Sequence, residues 1–478
     1  MPPEPGPATP LVAPLVFARV RPLATSGGHS DTGQIVFKRL KSFMSEDGYE
    51  YSYSAAGVSA AAAGSGDADS NAGGGKARVT LEDAHGEAHY DWPREVFGPD
   101  VSQDELYEKV AKPQVAKFTQ RNGHNVLAFA YGQTGTGKTH TIMGPQESWG
   151  TVRHPEWGLF PRVVDAALAE MKSRDSSTAF AMHISAVEFY FCGAFDLLDG
   201  HKQCVIVNHE PVGHQQTEVS SPEDVLGVLD AVRTNRTTAA TRMNRASHEH
   251  GGSSRSHCAL TCTLRQLHKA SGEVCSTSFT CVDLAGAERP SSNGDEHTSA
   301  MAAFMQYYRD PLSVSPASQG SIINMELSGL RSAAVTATEA HRRGRKVSAP
   351  TQLGTAAVDF LSSAFDGRAL LSMVVTLSPA PGSGWETWFA CTYGEDLAKL
   401  RCPVRPVKPV NVAKLAAAAA AAAGAAEAAL AKTPASGHPS SKYYARRVVE
   451  ARHFAQETRL VAQLVARGSG RSPETRSI

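Results

Sequence analysis

Apolar residues in this chain gather into short runs closed by turn residues, and between those runs they recur at helical spacing. Residues 15–21 (LVFARVR) read as a strand that Pro22 closes. Residues 126–131 (VLAFAY), 180–189, 258–264, 278–284 and 370–377 are strand candidates of the same kind. Residues 102–120, 161–173, 222–234 and 322–338 carry the helical pattern. Strands interleaved with helices predict an α/β fold with a mainly parallel central sheet flanked by helices on both faces.

The pattern lapses in two places. Residues 45–77 are rich in Ala, Gly, Ser and Asp and have no hydrophobic period, so a flexible insertion in a surface loop is expected. Beyond Arg405 the chain passes through RPVKPV, an alanine run and a Pro/Gly/Ser break at 433–441. It ends in an amphipathic helix predicted over 443–467. This divides the chain into a disordered arm (1–11), a principal domain (12–404), a Pro/Ala-rich linker (405–442), the short helix (443–467) and a disordered end (468–478).

Composition narrows the class. The chain has 478 residues, 47 basic and 47 acidic side chains, 41% hydrophobic and 20% charged residues. A sizeable core is available and wholesale disorder is excluded. The balanced charge argues against a chain that coats nucleic acid. From Arg401 onward, however, thirteen Lys/Arg stand against four Glu, so the tail is basic. Eight cysteines with no C-x-x-C pair fit core thiols in a reducing compartment; Cys258 and Cys262 share one strand face with Leu260 and Leu264. The start, MPPEPGPATP, lacks a signal-peptide layout, and residues 415–431 are too alanine-rich for a membrane span.

The strongest chemical signal is Gly132-Gln133-Thr134-Gly135-Thr136-Gly137-Lys138-Thr139, a full G-x-x-x-x-G-K-[ST] match between a strand candidate and a helix start. The glycines let backbone amides turn toward phosphate oxygens, Lys138 would neutralise them, and the Thr139 hydroxyl would hold Mg²⁺. Two further elements join it. Ser253-Ser254-Arg255-Ser256-His257 is a hydroxyl-rich loop with a cation, and Val282-Asp283-Leu-Ala-Gly286-Ala-Glu288 follows a strand. Asp283 at a strand end suits a carboxylate acting on Mg²⁺ through water, and Gly286 can offer its N–H to a γ-phosphate. Together they describe a two-switch nucleotide site.

YGQTGTGKTHTIMG, SSRSH and DLAGAE, in this order, resemble the kinesin motor domain. ARVRPL at 18–23, VFGPDVSQDELYEKV at 96–110, GLFPRVV at 158–164, VEFYFCGAFDLL at 187–198, RTTAATRMN at 236–244 and IINMEL at 322–327 extend the likeness over about residues 12–404. The resemblance implies a P-loop motor fold, an Mg²⁺-dependent ATPase, microtubules (tubulin) as partner, and a place in the cytoplasm on the cytoskeleton. Arg19, Pro22 and His140 would border the adenine. Residues 132–139 would hold the phosphates. Ser253 and Ser254 would position the attacking water and complete the Mg²⁺ shell with Thr139 and Asp283. Arg255 and Glu288 would close the switches as a salt bridge.

The chain also departs from the family pattern. RASHEHGG separates Asn244 from Ser253, with His250 where the family has Asn. Ala287 stands in place of Ser, and Gln319 in place of Glu ahead of the relay helix. The segment 288–324 is long, and SAPTQLGTAAVDFLSSAFDG at 348–367 is nearly free of basic residues where a Y-R-D-S-K-L-T track contact is expected. The cluster His341-Arg-Arg-Gly-Arg-Lys346 offers a replacement contact, a solvated helix end or an address signal. His248 and His250 read as a polar loop rather than a metal site, and Trp385 and Trp388 as packing for the last helix of the domain. The tail helix is too short for a sustained coiled coil and would suit a cargo or adaptor. Three functions stay in play: an ATP-driven microtubule motor, a kinesin-fold binding or scaffold module switched by nucleotide, and a P-loop ATPase with another partner.

Overall fold

The computed structural model describes residues 11–22, 35–40, 50–55, 77, 79–83, 86–190, 193–243, 255–287, 302, 305–306, 316–345, 347, 355–378, 384–431 and 439–469. The chain opens with β1 (Leu15–Val20), two hairpins β2–β3 (Ile35–Leu40, Glu50–Ala55) and β4–β5 (Val79–Asp83, Gly86–Tyr90), and β6 (Val96–Phe97). Helices α1 (Gln103–Val110) and α2 (Lys112–Phe118) lead into β7 (Asn125–Tyr131), α3 (Lys138–Ile142) and α4 (Leu159–Lys172). Next come β8 (Thr178–Tyr190), β9 (Gly193–Asp196), β10 (Lys202–Val207), β11 (Glu210–Val212), β12 (Thr217–Val219) and α5 (Pro222–Met243). The long hairpin β13–β14 (His257–His268, Glu273–Asp283) precedes α6 (Pro316–Arg342), α7 (Ala356–Ser362), β15 (Ala369–Leu377) and α8 (Gly384–Ala398). The tail is β16 (Val410–Asn411), α9 (Val412–Ala431) and α10 (Pro439–Gly468).

The central sheet runs β11-β10-β9-β8-β13-β14-β7-β15-β1-β6, with β12 on β8 and β16 on β14. It is parallel from β14 through β7, β15 and β1 to β6, the half that holds the phosphate loop. The other half is antiparallel. The mixture has a simple cause: β13 and β14 are joined by a short turn, and such a turn permits only antiparallel pairing.

β7 shows why both faces are covered. Its Val126, Ala128 and Ala130 enter one core, with Phe118, Ile142, Phe160 and Val225. Its Leu127, Phe129 and Tyr131 enter the other, with Ile323, Leu361 and Cys391. The period of two thus buries both sides of one apolar run. The helix predicted over 102–120 is broken at Ala111, because Pro113 lies in the first turn of α2. Ser102 caps α1 by accepting the Glu105 N–H at 3.1 Å. Within the insertion expected at 45–77, residues 50–55 form β3 against β2; most of the rest lies outside the described residues. Cys258 and Cys262 are buried core thiols, each pushed up to about 12 by burial.

The tail does not stand apart from the domain. The alanine run forms α9, which packs along α10, and α10 lies on the sheet. Val461 and Leu464 pack against Ala181, Leu267 and Val274. Glu457 accepts from buried Arg265 at 2.5 Å and from the Gln216 amide, and Arg467 binds both carboxylate oxygens of Glu218. The apolar stripe that the sequence offered to a partner is therefore covered by the chain's own sheet. Leu464→Ala is expected to weaken this docking by about 2–5 kcal/mol, read as faster amide exchange across α10.

Three histidines sit at the docking seam. His214 and His183 are each lowered to about 4, and His453 is lowered as well. Burial is the first cause in all three. His453 and Arg265 add to it at His214, and Arg265 adds to it at His183 and His453, while Glu457 opposes. Depressed imidazoles favour the docked, neutral form. Docking is complete above the ordinary histidine value of 6.5 and weakens as pH falls from there toward about 4. The thermal unfolding midpoint should drop between about pH 7.5 and about pH 5, and His214→Gln with His453→Gln should flatten that dependence.

Candidate functional site

The phosphate loop sits where β7 ends and α3 begins. Gly135 and Gly137 take left-handed φ values of 80° and 96°, conformations that side chains disfavour. Gly132 is needed for a different reason: a Cβ there would collide with the Thr376 carbonyl and lie 2.9 Å from Thr136 Oγ1. Thr136 Oγ1 donates to the Gln133 carbonyl at 2.7 Å and pairs with the Thr376 hydroxyl at 2.7 Å. Lys138 is buried and donates to the Gly132 and Gln133 carbonyls at 3.1 and 2.9 Å.

β14 brings Asp283 alongside, because its register with β7 pairs Asp283 with Ala130. Thr139 Oγ1 donates to Asp283 Oδ2 at 2.8 Å, and Arg236 Nη1 donates to the same oxygen at 3.0 Å. Asp283 Oδ1 is buried and has no hydrogen-bond partner. Past Asp283 the backbone crosses the phosphate loop. Gln133 and Ala287 form a parallel bridge, and Ala287 N–H donates to Gly132 O at 3.3 Å. A Cβ on Gly286 would strike Thr134, so the two loops approach this closely only with glycine there.

Arg19 and His140 meet through Gln103. Arg19 Nη1 donates to Gln103 Oε1 at 3.2 Å and to Thr141 Oγ1 at 3.0 Å; burial lowers its pKa to about 10, so it stays charged. The Gln103 amide meets His140 Nδ1 at 3.0 Å and donates to the His140 carbonyl at 2.8 Å. His140 Nε2 lies 3.3 Å from Glu156, yet burial and Arg19 hold its pKa down. Pro22 follows β1 on the exposed surface, and Arg21 donates to the Gly135 carbonyl at 2.7 Å. Ser253, Ser254 and Glu288 lie outside the described residues, as do His248 and His250. Arg255 Nη1 donates to Gln319 Oε1 of α6 at 3.3 Å.

One network at the site escaped the motif reading. Arg236 is buried between Asp283 and Glu188, its Nε 3.7 Å from Glu188 Oε1. Ser256 Oγ donates to Glu188 Oε1 at 2.5 Å, and His201 Nε2 meets Oε2 at 2.7 Å. Burial alone would raise the Glu188 pKa, but the His201 bond, the Arg236 charge and the Ser256 bond outweigh it and hold the carboxylate ionised. Burial likewise works against the Arg236 charge, and its anionic surroundings raise it instead. The family-like segments VEFYF and RTTAATRMN contain Glu188 and Arg236, which was the available signal; nothing marked them as a pair. His257 links three elements. Its Nδ1 accepts the Ala285 N–H at 2.9 Å, and its Nε2 lies 3.4 Å from Glu326 of α6.

Comparison with known proteins agrees with this geometry. The kinesin motor domain family model matches residues 19–305. The kinesin heavy chain of Doryteuthis pealeii is 37% identical over 207 residues, 42% of this chain and 20% of that protein. The kinesin-like protein KIF27 of Rattus norvegicus is 35% identical over 218 residues, 42% of this chain and 15% of its own. The matched region thus spans about a fifth or less of the length of these relatives. A solved fast kinesin overlays with TM-score 0.57 at 20% identity, covering 84% of this chain and 94% of its own. A KIF14 dimer, in its two-heads-bound state with AMP-PNP on a microtubule, overlays with TM-score 0.60 at 21% identity, covering 83% and 96%. The match to the family model takes in more than half of the chain, and the chain belongs to the kinesin motor domain family.

Proposed function

We propose that this chain is an Mg²⁺-dependent ATPase whose nucleotide switches control binding to microtubules and drive movement or remodelling along them. The observation that carries this reading is the Thr139–Asp283 contact beside the glycine loop, with a buried Asp283 oxygen left unpartnered. A buried carboxylate oxygen without a donor suits the hydration shell of a cation. The glycine cradle, too tight for any Cβ at Gly132, suits phosphate oxygens held by backbone amides. ATP and Mg²⁺ therefore fit the residues present.

In this reading residues 132–139 hold the phosphates, and Arg19, Pro22 and His140 flank the base. Thr139, Ser254 and Asp283 would hold Mg²⁺, the last through water. The ion, when bound, neutralises charge on the phosphoryl oxygens. Ser253 positions the attacking water, Gly286 offers its N–H to the terminal phosphate, and Arg255 pairs with Glu288 on closure. The Gln319 contact of Arg255 lets the cation pass between partners, since a neutral amide holds it less strongly than a carboxylate.

A second reading, a nucleotide-switched binding module with weakened track contact, is favoured by one observation. α7 presents no basic side chain and ties its Asp359 to His209 at 3.0 Å. In the nearby cluster ending α6, Arg342 and Arg343 are both drawn to Glu339, which reduces the charge offered to an acidic surface. A cargo or adaptor role for the tail would first require α10 to leave the sheet.

Steady-state ATPase with and without polymerised microtubules separates the two readings. The motor reading expects stimulation that falls with salt and is lost in Glu288→Ala; a basal rate that microtubules leave unchanged would sink it. Lys138→Ala should lower nucleotide affinity at least about 100-fold, roughly 3 kcal/mol, measured with a fluorescent ATP analogue. Glu188→Gln, which leaves buried Arg236 with one carboxylate, should cost about 3–5 kcal/mol of stability in denaturant unfolding. It should also slow hydrolysis more than it weakens binding, because Asp283 then holds Arg236 alone.

A further inference from the structure

A cavity of about 350 Å³ lies on the sheet face covered by α6, α7 and α8, between α7 and α10. None of the phosphate-loop or switch residues described above lines it. Its size is that of a small-molecule site and well beyond one bridging water.

The floor of the cavity is unusual for a covered sheet. Thr261 stands abreast of Ser185 and Thr280 on the neighbouring strands, and Thr263 abreast of Ser278. Elsewhere on this face the same strands present Val187, Ala259 and Val282. Thr261 and Thr280 bond to each other at 3.0 Å. Five hydroxyls, those of Ser185 and Thr280 buried and the others half-buried, stand in place of aliphatic side chains, and a hydroxyl taken from water needs a partner.

The end wall is cationic or able to become so. Arg265 is 0% exposed. Its Nη atoms are engaged by His183 at 3.1 Å, Gln216 at 2.7 Å and Glu457 at 2.5 Å, while its Nε has no partner. His214 and His453 face each other with ring centroids 5.4 Å apart, and the Nδ1 of each is buried without a partner. An Nε–H can only donate, and a protonated imidazole donates from both nitrogens. All three residues line the same cavity. Phe360 and Ala364 supply an apolar wall, and exposed Glu210 and Arg368 also border the cavity.

We infer that this cavity is a second binding site, for a small organic monocarboxylate whose carboxylate meets Arg265, His214 and His453 and whose apolar part lies against Phe360. The charges nearby set the valence. In the lining Arg265 and Arg368 stand against Glu457 and Glu210, and Asp366 pairs with Arg368 from just outside it at 2.8 Å, so the lining itself is close to neutral. Burial first, then neighbouring cations, holds both imidazoles below their ordinary value, with Glu457 opposing. A carboxylate therefore enters together with one proton, taken up by the imidazole pair, and the cavity stays neutral. A dianion would face Glu457 with its second charge unbalanced. Because His453 and Glu457 belong to α10, occupancy would also tighten the docking of the tail.

Isothermal titration of the full chain with benzoate, in buffers of differing ionisation enthalpy, tests the assignment. The expected result is one saturable site, uptake of about one proton, and affinity rising up to about tenfold as pH falls by one unit near neutrality. Benzamide, the neutral isostere, should bind without proton uptake and at least about tenfold more weakly. Thr261→Val and His453→Phe should each weaken benzoate at least about tenfold with the unfolding transition kept; Lys138→Ala should bind benzoate as the parent does. Absence of saturable binding up to about 10 mM overturns the proposal. So does binding without proton uptake, binding that neither cavity variant alters, or binding that Lys138→Ala abolishes.

Discussion

The guanidinium of Arg236 is buried, and its charge must be answered inside the protein. Asp283 at 3.0 Å and Glu188 at 3.7 Å answer it, and Ser256 and His201 complete the shell around Glu188. Removing one partner from such a group leaves a buried charge uncompensated, a loss of about 3–5 kcal/mol. The arrangement therefore pins the start of β13, the ends of β14 and β8, and α5 to one another. Asp283 gains its aim from this. With Oδ2 shared by Arg236 and Thr139, its Oδ1 is left for whatever sits beside the phosphate loop.

β13 carries the consequence across the molecule. At its first residue, His257 holds the Ala285 amide and faces Glu326 of α6. Two turns of the pleat further on, Thr261 forms part of the cavity floor, and Arg265 anchors Glu457 of α10. One strand thus touches the switch loops, the long helix α6 and the docked tail. The tail, which by composition is basic and amphipathic, is held by two acid–base contacts and an apolar stripe rather than left free to recruit a partner.

Sequence and structure agree where the physics is local. The phosphate loop was legible because a turn with left-handed residues and a close backbone approach admits only glycine, and Gly132, Gly135, Gly137 and Gly286 all meet that demand. The strands were legible because a sheet buried on both faces leaves continuous apolar runs such as 126–131. The switch serines and Glu288, central to the sequence reading, fall outside the described residues, so their roles rest on the motif.

What the sequence determined by itself was the family, the strand-and-helix alternation and the glycine-rich loop, all written in contiguous residues. Tertiary structure alone decided the rest. Glu188, Arg236 and Asp283 are dispersed over three elements, and Arg265 meets Glu457 across 192 positions of chain. Charge pairing in a dry interior depends on distance in space and on exclusion of water, and neither is encoded at any one position. The return of α10 onto β8 and β13 likewise follows from how elements pack after the chain has folded back on itself.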